Sequence, residues 1–145
     1  MPTFREVKVR IESRIDELDE AGLTLGEPER AQTHAEGYFR FGDGGATLTY
    51  AEESEGGRIS SELEISGDVI TVRRTGAIES ELRFAEGCEH SSLYSVPPYK
   101  FDVTVRARRV RHTLSDMGGQ IDVLYNMSIG GAHKAVRMKI WIQAS

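Results

Sequence analysis

Apolar and polar residues alternate along most of this chain with a period of two. The clearest stretch is GQIDVLYNMSI, then GG, then AHKAVRMKIWIQ. Ile121, Val123, Tyr125, Met127 and Ile129 share one parity, and Asp122, Leu124, Asn126 and Ser128 take the other. After Gly130-Gly131, the pattern resumes with Val136, Met138, Ile140 and Ile142. Successive side chains of a strand point to opposite faces, so this alternation predicts a half-buried antiparallel sheet. Gly-Gly supplies the positive φ of a tight hairpin turn.

The same reading runs back along the chain. A first strand is predicted near Phe4 to Ile15, with Val7, Val9 and Ile11 on one face. A second covers about Ala31 to Phe41, where Gly37 marks a bend or a close backbone approach. Between them, an acidic loop near 16–30 carries Asp16, Glu17, Asp19, Glu20, Glu27 and Glu29, with room for one or two helical turns. GDGG and SEGG then turn the chain around a strand carrying Ala46, Leu48 and Tyr50. Further strands carry Ile59, Leu63 and Ile65, then Ile70 and Val72, then Leu82 and Phe84. A short strand ends at Tyr94, and Pro97-Pro98 stops pairing there. The next strand, from about Tyr99 to Leu114, changes parity midway. Phe101, Val103, Val105 and Ala107 share one face, and Val110, His112 and Leu114 take the other, so a one-residue bulge is predicted near Arg108-Arg109.

Short strands joined by hairpin-length turns predict an all-β fold. Consecutive hairpins make a meander, and one of about 8–10 strands closes on itself to remove its edges. The expectation is a single domain over residues 1–145: an up-and-down antiparallel β-barrel.

Composition narrows the function only by exclusion. The net charge of −5 gives no general attraction to nucleic acid or anionic membrane. No stretch approaches the ~20 apolar residues of a membrane helix. One cysteine, Cys88, cannot form an intramolecular disulfide, and the charged opening MPTFREVKVRI has no export-type apolar run, so a reducing cytoplasm is expected. His34, His90, His112 and His133 are scattered without metal-ligand spacing, and no nucleophile elbow is present. Neither a cofactor nor a metal is expected, and the chain reads as a binder rather than an enzyme.

Two sets of residues carry candidate chemistry. Arg74 shares parity with Ile70 and Val72. A guanidinium pointing into a barrel must find a carboxylate or a ligand anion. Glu52, with the parity of Tyr50, is the candidate internal partner, and Tyr94 and Tyr99 bracket the proline turn at a barrel rim. Tyr50, Glu52, Arg74, Tyr94 and Tyr99 are therefore the candidate ligand-binding residues, for a small apolar or amphipathic molecule in the barrel interior. The alternative is a protein- or RNA-interaction module using the outer arginines Arg106, Arg108, Arg109 and Arg111. The bland reading pairs those arginines with Glu62, Glu64, Glu79 and Glu81, and no aromatic platform lies beside them. Trp141 is expected on the outer face, and a homodimer is possible through it or through an exposed strand.

The succession AEGYF, TYAEES, RTGAIESELRF, SLYSVPPY and IDVLYNMSIGG resembles the YwiB-like family of uncharacterised bacterial proteins, from about Val7 to Ile142. The resemblance implies a lipocalin-like (calycin) β-barrel and no particular activity. The chain departs from the family pattern at Val96-Pro97-Pro98-Tyr99-Lys100, where Thr-Pro-Tyr-Gly is usual, and at Ala107, where a threonine is usual.

Overall fold

A computed structural model describes residues 2–145. Ten strands follow one another: β1 (Thr3–Leu18), β2 (Thr24–Gly42), β3 (Gly45–Ser54), β4 (Gly57–Ser66), β5 (Val69–Gly76), β6 (Ser80–Ala85), β7 (Glu89–Val96), β8 (Tyr99–Ser115), β9 (Gly118–Ile129) and β10 (Ala132–Ala144). The described residues form no helix. All strands belong to one antiparallel sheet in the order β6-β5-β4-β3-β2-β1-β10-β9-β8-β7. The first and last strands pair at the middle of this order, from Val7 with Ala144 to Leu18 with His133. The sheet curls into a nearly closed up-and-down barrel whose seam lies between β6 and β7.

That seam is loosely stitched. One bridge joins Glu79 and Ser95, with both backbone hydrogen bonds at 2.8 Å. The Ser92 hydroxyl donates across it to the Glu81 carbonyl at 2.8 Å. At the far end, the turn after β6 leans on β8 instead: the Gly87 amide donates to the Ala107 carbonyl at 2.8 Å. There the predicted bulge is found. The β8–β9 register shifts between Ala107 and Arg109. This returns Val110 to the core while Arg108, Arg109 and Arg111 stay exposed. The Glu86 carboxylate accepts hydrogen bonds from the Val110 amide at 3.0 Å and the Arg111 guanidinium at 2.8 Å. Those bonds hold its pKa below the usual carboxylate value, the Val110 amide contributing most.

The interior is filled by one parity from every wall, including Val7, Val9, Phe39, Leu48, Leu63, Ile70, Phe84, Val105, Ile121 and Ile140. Gly37 faces this core because nothing larger fits: a Cβ there would stand 2.2 Å from the Thr49 carbonyl oxygen.

The acidic segment 16–30 is corrected by the structure. It is a long hairpin, not a loop: β1 continues to Leu18 and β2 starts at Thr24. Only a tight turn separates them. The Asp19 carboxylate accepts from the Ala21 and Leu23 amides at 2.9 Å each, and Gly22 takes a φ of 81°. Pro28, which lacks a donor, falls within a register irregularity between Ile15 and Glu17. The paired backbone of β1 therefore carries β2 past residues whose side chains bury little. β7 likewise runs on to Val96 instead of ending at Tyr94.

Candidate functional site

Cross-strand register assembles an inward polar row near one mouth of the barrel. Gly37 on β2 lies opposite Tyr50 on β3, Tyr50 opposite Ser61 on β4, Ser61 opposite Arg74 on β5, and Arg74 opposite Ser80 on β6. Each inward position of such a row would normally be apolar, as Leu48, Leu63, Val72 and Leu82 are one step deeper. Tyr125 reaches the same space from β9, with its ring packed against Phe84 at a 4.5 Å centroid distance and tilted by 43°. Tyr94 enters from β7, half-buried against the core.

Electrostatics tie these side chains together. Burial pushes the Tyr50 hydroxyl above its ordinary pKa, while Arg74 and Ser61 pull it down and Glu52 pushes it up. Tyr125 is pushed up to about 12, chiefly by burial, with Arg74 opposing and Tyr94 adding to the rise. Arg74 thus acts on tyrosines from opposite walls. Its own charge has no acid beside it, because no ion pair within 4.0 Å involves Arg74 among the described residues. The expected Arg74–Glu52 pair is therefore corrected. Glu52 lies two residues nearer the mouth, half-buried, where water competes for its carboxylate. Three buried polar atoms on this inward face lack a hydrogen-bond partner: Arg74 Nε, Ser61 Oγ and His90 Nδ1. Ser61 and Arg74 both reach the Tyr50 hydroxyl closely enough to lower its pKa, but neither Ser61 Oγ nor Arg74 Nε closes a hydrogen bond of good geometry. Ser61 is only 3% exposed, so its hydroxyl is an unpartnered group in the core.

Of the candidate residues, Tyr50 and Arg74 come together, and Tyr94 approaches the same cluster through Tyr125. Tyr99 does not join them; it stands 66% exposed on the rim. Sequence reasoning missed Ser61, Tyr125 and His90. Ser61 carried a signal, a serine at the parity of Ile59 and Leu63. His90 shares parity with Tyr94. The described concavities open on the outer wall and at the turns, and Arg74, Tyr94 and Tyr125 line none of them. A ligand at Arg74 would therefore occupy the mouth and seam, not a void within the core.

The arginine strand has different acidic partners from those expected. Arg106 pairs with Glu89 at 3.6 Å and Arg111 with Glu86 at 2.8 Å. Glu62, Glu64 and Glu81 instead surround Arg73, at 3.4, 3.1 and 2.7 Å. Trp141 does face outward, under the Arg10 guanidinium at 4.1 Å from the ring centroid. No group of three or more His, Cys, Asp or Glu among the described residues is placed to hold a metal ion.

Comparison with known proteins places this geometry among relatives. A family model described as "Domain of unknown function (DUF1934)" matches residues 9–140. The "Uncharacterized beta-barrel protein YwiB" of Bacillus subtilis (strain 168) is 22% identical over 105 residues, covering 72% of this chain and 74% of that protein. The crystal structure of the ywiB protein from Bacillus subtilis matches with a TM-score of 0.85 at 20% identity, over 98% of this chain and 93% of that one. That likeness is one of fold.

Proposed function

The chain belongs to the family described as "Domain of unknown function (DUF1934)", and on that premise we propose that this β-barrel is a non-enzymatic cytoplasmic binder of a small amphipathic molecule with an acidic head group. The observation that carries the reading is Arg74, an inward cation without a carboxylate partner, beside the unpartnered Ser61 hydroxyl. A desolvated guanidinium is best satisfied by a planar or tetrahedral oxyanion. Tyr50 and Tyr94 supply hydroxyls around it. The apolar part of the ligand would lie against the half-buried Ile11, Met127 and Ile129 at the same end of the strands. With the core already filled, the whole ligand would lie at the mouth, its head group at Arg74 and its tail along these apolar side chains.

Native mass spectrometry of protein purified from its own source tests this. The expected result is a small-molecule adduct that is absent from Arg74→Met. A medium-chain fatty acid added to the stripped protein should raise the Tm of the wild type and leave that of Arg74→Met unchanged. A stripped spectrum together with no Tm response to the fatty acid would overturn the reading.

A further inference from the structure

One row across the outer wall formed by β2, β1, β10, β9 and β8 breaks a rule that its neighbours obey, where Glu12 and Asp122 flank Lys139. Opposite charges facing each other across neighbouring strands stabilise a sheet, and like charges destabilise it. Arg73 follows the rule with three glutamates around it. On the opposite wall, Arg14 faces Arg30 on one side and Arg137 on the other. The row continues through Leu124 to Arg109. Two of these arginines find acids away from their register partners, Arg14 with Asp16 at 3.2 Å and Arg137 with Asp122 at 3.3 Å. Arg30, Arg109 and the nearby Lys139 make no ion pair among the described residues. Arg14, Arg30, Arg137 and Lys139, with Glu12 and Gln32, line a concavity of about 570 Å³.

The sequence segregates its charge in the same sense. Strands β1, β2, β8, β9 and β10 hold fourteen Lys and Arg against nine Asp and Glu, while the rest of the chain holds four against fourteen. The net of −5 therefore hides a basic wall on an acidic molecule, and a local field can attract a polyanion that the whole charge would repel.

We propose that this concave wall binds a single strand of nucleic acid through its phosphates. Adjacent strands are ~4.8 Å apart, so the four steps from Arg30 to Arg109 span ~19 Å, enough for several consecutive phosphates. The concavity offers no apolar anchor of the kind that enters a membrane interface. The one tryptophan nearby, Trp141, is already covered by Arg10. The exposed aromatics of β1 and β2, Phe4 and Tyr38, stand far along their strands from Arg14 and Arg30, so contact at the concavity is to the backbone and carries little sequence preference. The centre of the surface is the lateral row, because Arg14, Arg30, Arg137 and Lys139 converge on one concavity, whereas Arg106 and Arg111 lie outside it, each beside a glutamate.

Fluorescence anisotropy with a labelled single-stranded RNA of about ten nucleotides, at about 50 mM salt, tests this. The wild type is expected to bind, and more weakly as salt rises. The triple variant Arg14→Gln, Arg30→Gln, Arg137→Gln should bind at least ~10-fold more weakly, with its log–log salt slope reduced by ~2. Arg73→Gln should match the wild type. The triple variant relieves like-charge contacts, so an unchanged near-ultraviolet circular dichroism spectrum and an undiminished Tm verify its fold. No binding by the wild type at low salt would overturn the proposal, as would equal binding by the triple variant. Retention on phosphatidylglycerol vesicles without RNA binding would overturn it in favour of a membrane surface. The ligand at Arg74 plays no part in this readout, so the two proposals fail separately.

Discussion

Arg73 and Arg74 are neighbours in sequence and opposites in setting. Arg73 points outward from β5 and is held by Glu62, Glu64 and Glu81 on the two strands beside it. Arg74 points inward, among Tyr50, Ser61 and Tyr125, with no carboxylate within ion-pair distance among the described residues. A single step along a strand thus carries a guanidinium from a fully compensated surface network to an uncompensated interior. The first setting is what a fold needs to keep a charge in place. The second costs desolvation, which a bound anion would offset, and the proposed function rests on that inner residue.

The largest break in this comparison comes from the backbone that seats the inner row. Gly37→Val forces a side chain onto the Thr49 carbonyl beside Tyr50. It should cost about 3 kcal/mol or more in urea unfolding, with the inner side of the comparison lost along with the fold. Next is the alkaline limb of stability. Burial pushes the Tyr125 hydroxyl up to about 12 in the folded barrel, from the ordinary tyrosine value of about 10. Below pH ~10 its contribution is fully present. As pH rises past that point the unfolded chain loses the proton first, and up to about 2–3 kcal/mol is lost by the time the folded group ionises. Tyr125→Phe should flatten that limb in unfolding measurements from pH 9 to 12. The smallest effects sharpen the pair itself. Arg74→Met removes an inward charge and keeps the length, so in the absence of ligand it should raise stability by about 1 kcal/mol. It should also delay tyrosinate absorbance to higher pH, because Arg74 lowers the pKa of both Tyr50 and Tyr125. Arg73→Met should lower Tm slightly at low salt and not at high salt, as expected of an exposed network. If the two methionine variants changed stability in the same direction, the contrast between inner and outer settings would fail.

Period-two alternation was enough to read the barrel, down to the bulge that returns Val110 to the core after Ala107. It failed at residues 16–30, where β1 imposes pairing on acidic, exposed residues that form no apolar pattern of their own. The site was half legible. Parity alone pointed Arg74 and Tyr50 inward. Parity could not measure the Arg74–Glu52 separation, nor show that Ser61 stands between the strands of Tyr50 and Arg74. Register between strands is a long-range property, and the lateral row from Arg30 to Arg109 leaves no trace in any local window. The same blindness assigned Glu62, Glu64 and Glu81 to the wrong arginines.

The pairing of β1 with β10 has a kinetic consequence. This central contact joins residues as far apart as Val7 and Ala144, whereas every other ladder is a local hairpin. Two meanders, β1–β6 and β7–β10, can each form early from nearby contacts. Their union must then close the largest loop in the molecule, and such nonlocal pairing slows folding. Until β10 docks, the paired edge of β1 stands open along its length. The β6–β7 turn acts as the hinge of a book whose covers meet at the first and last strands, so the least-stitched place in the finished barrel is also the point about which it shuts.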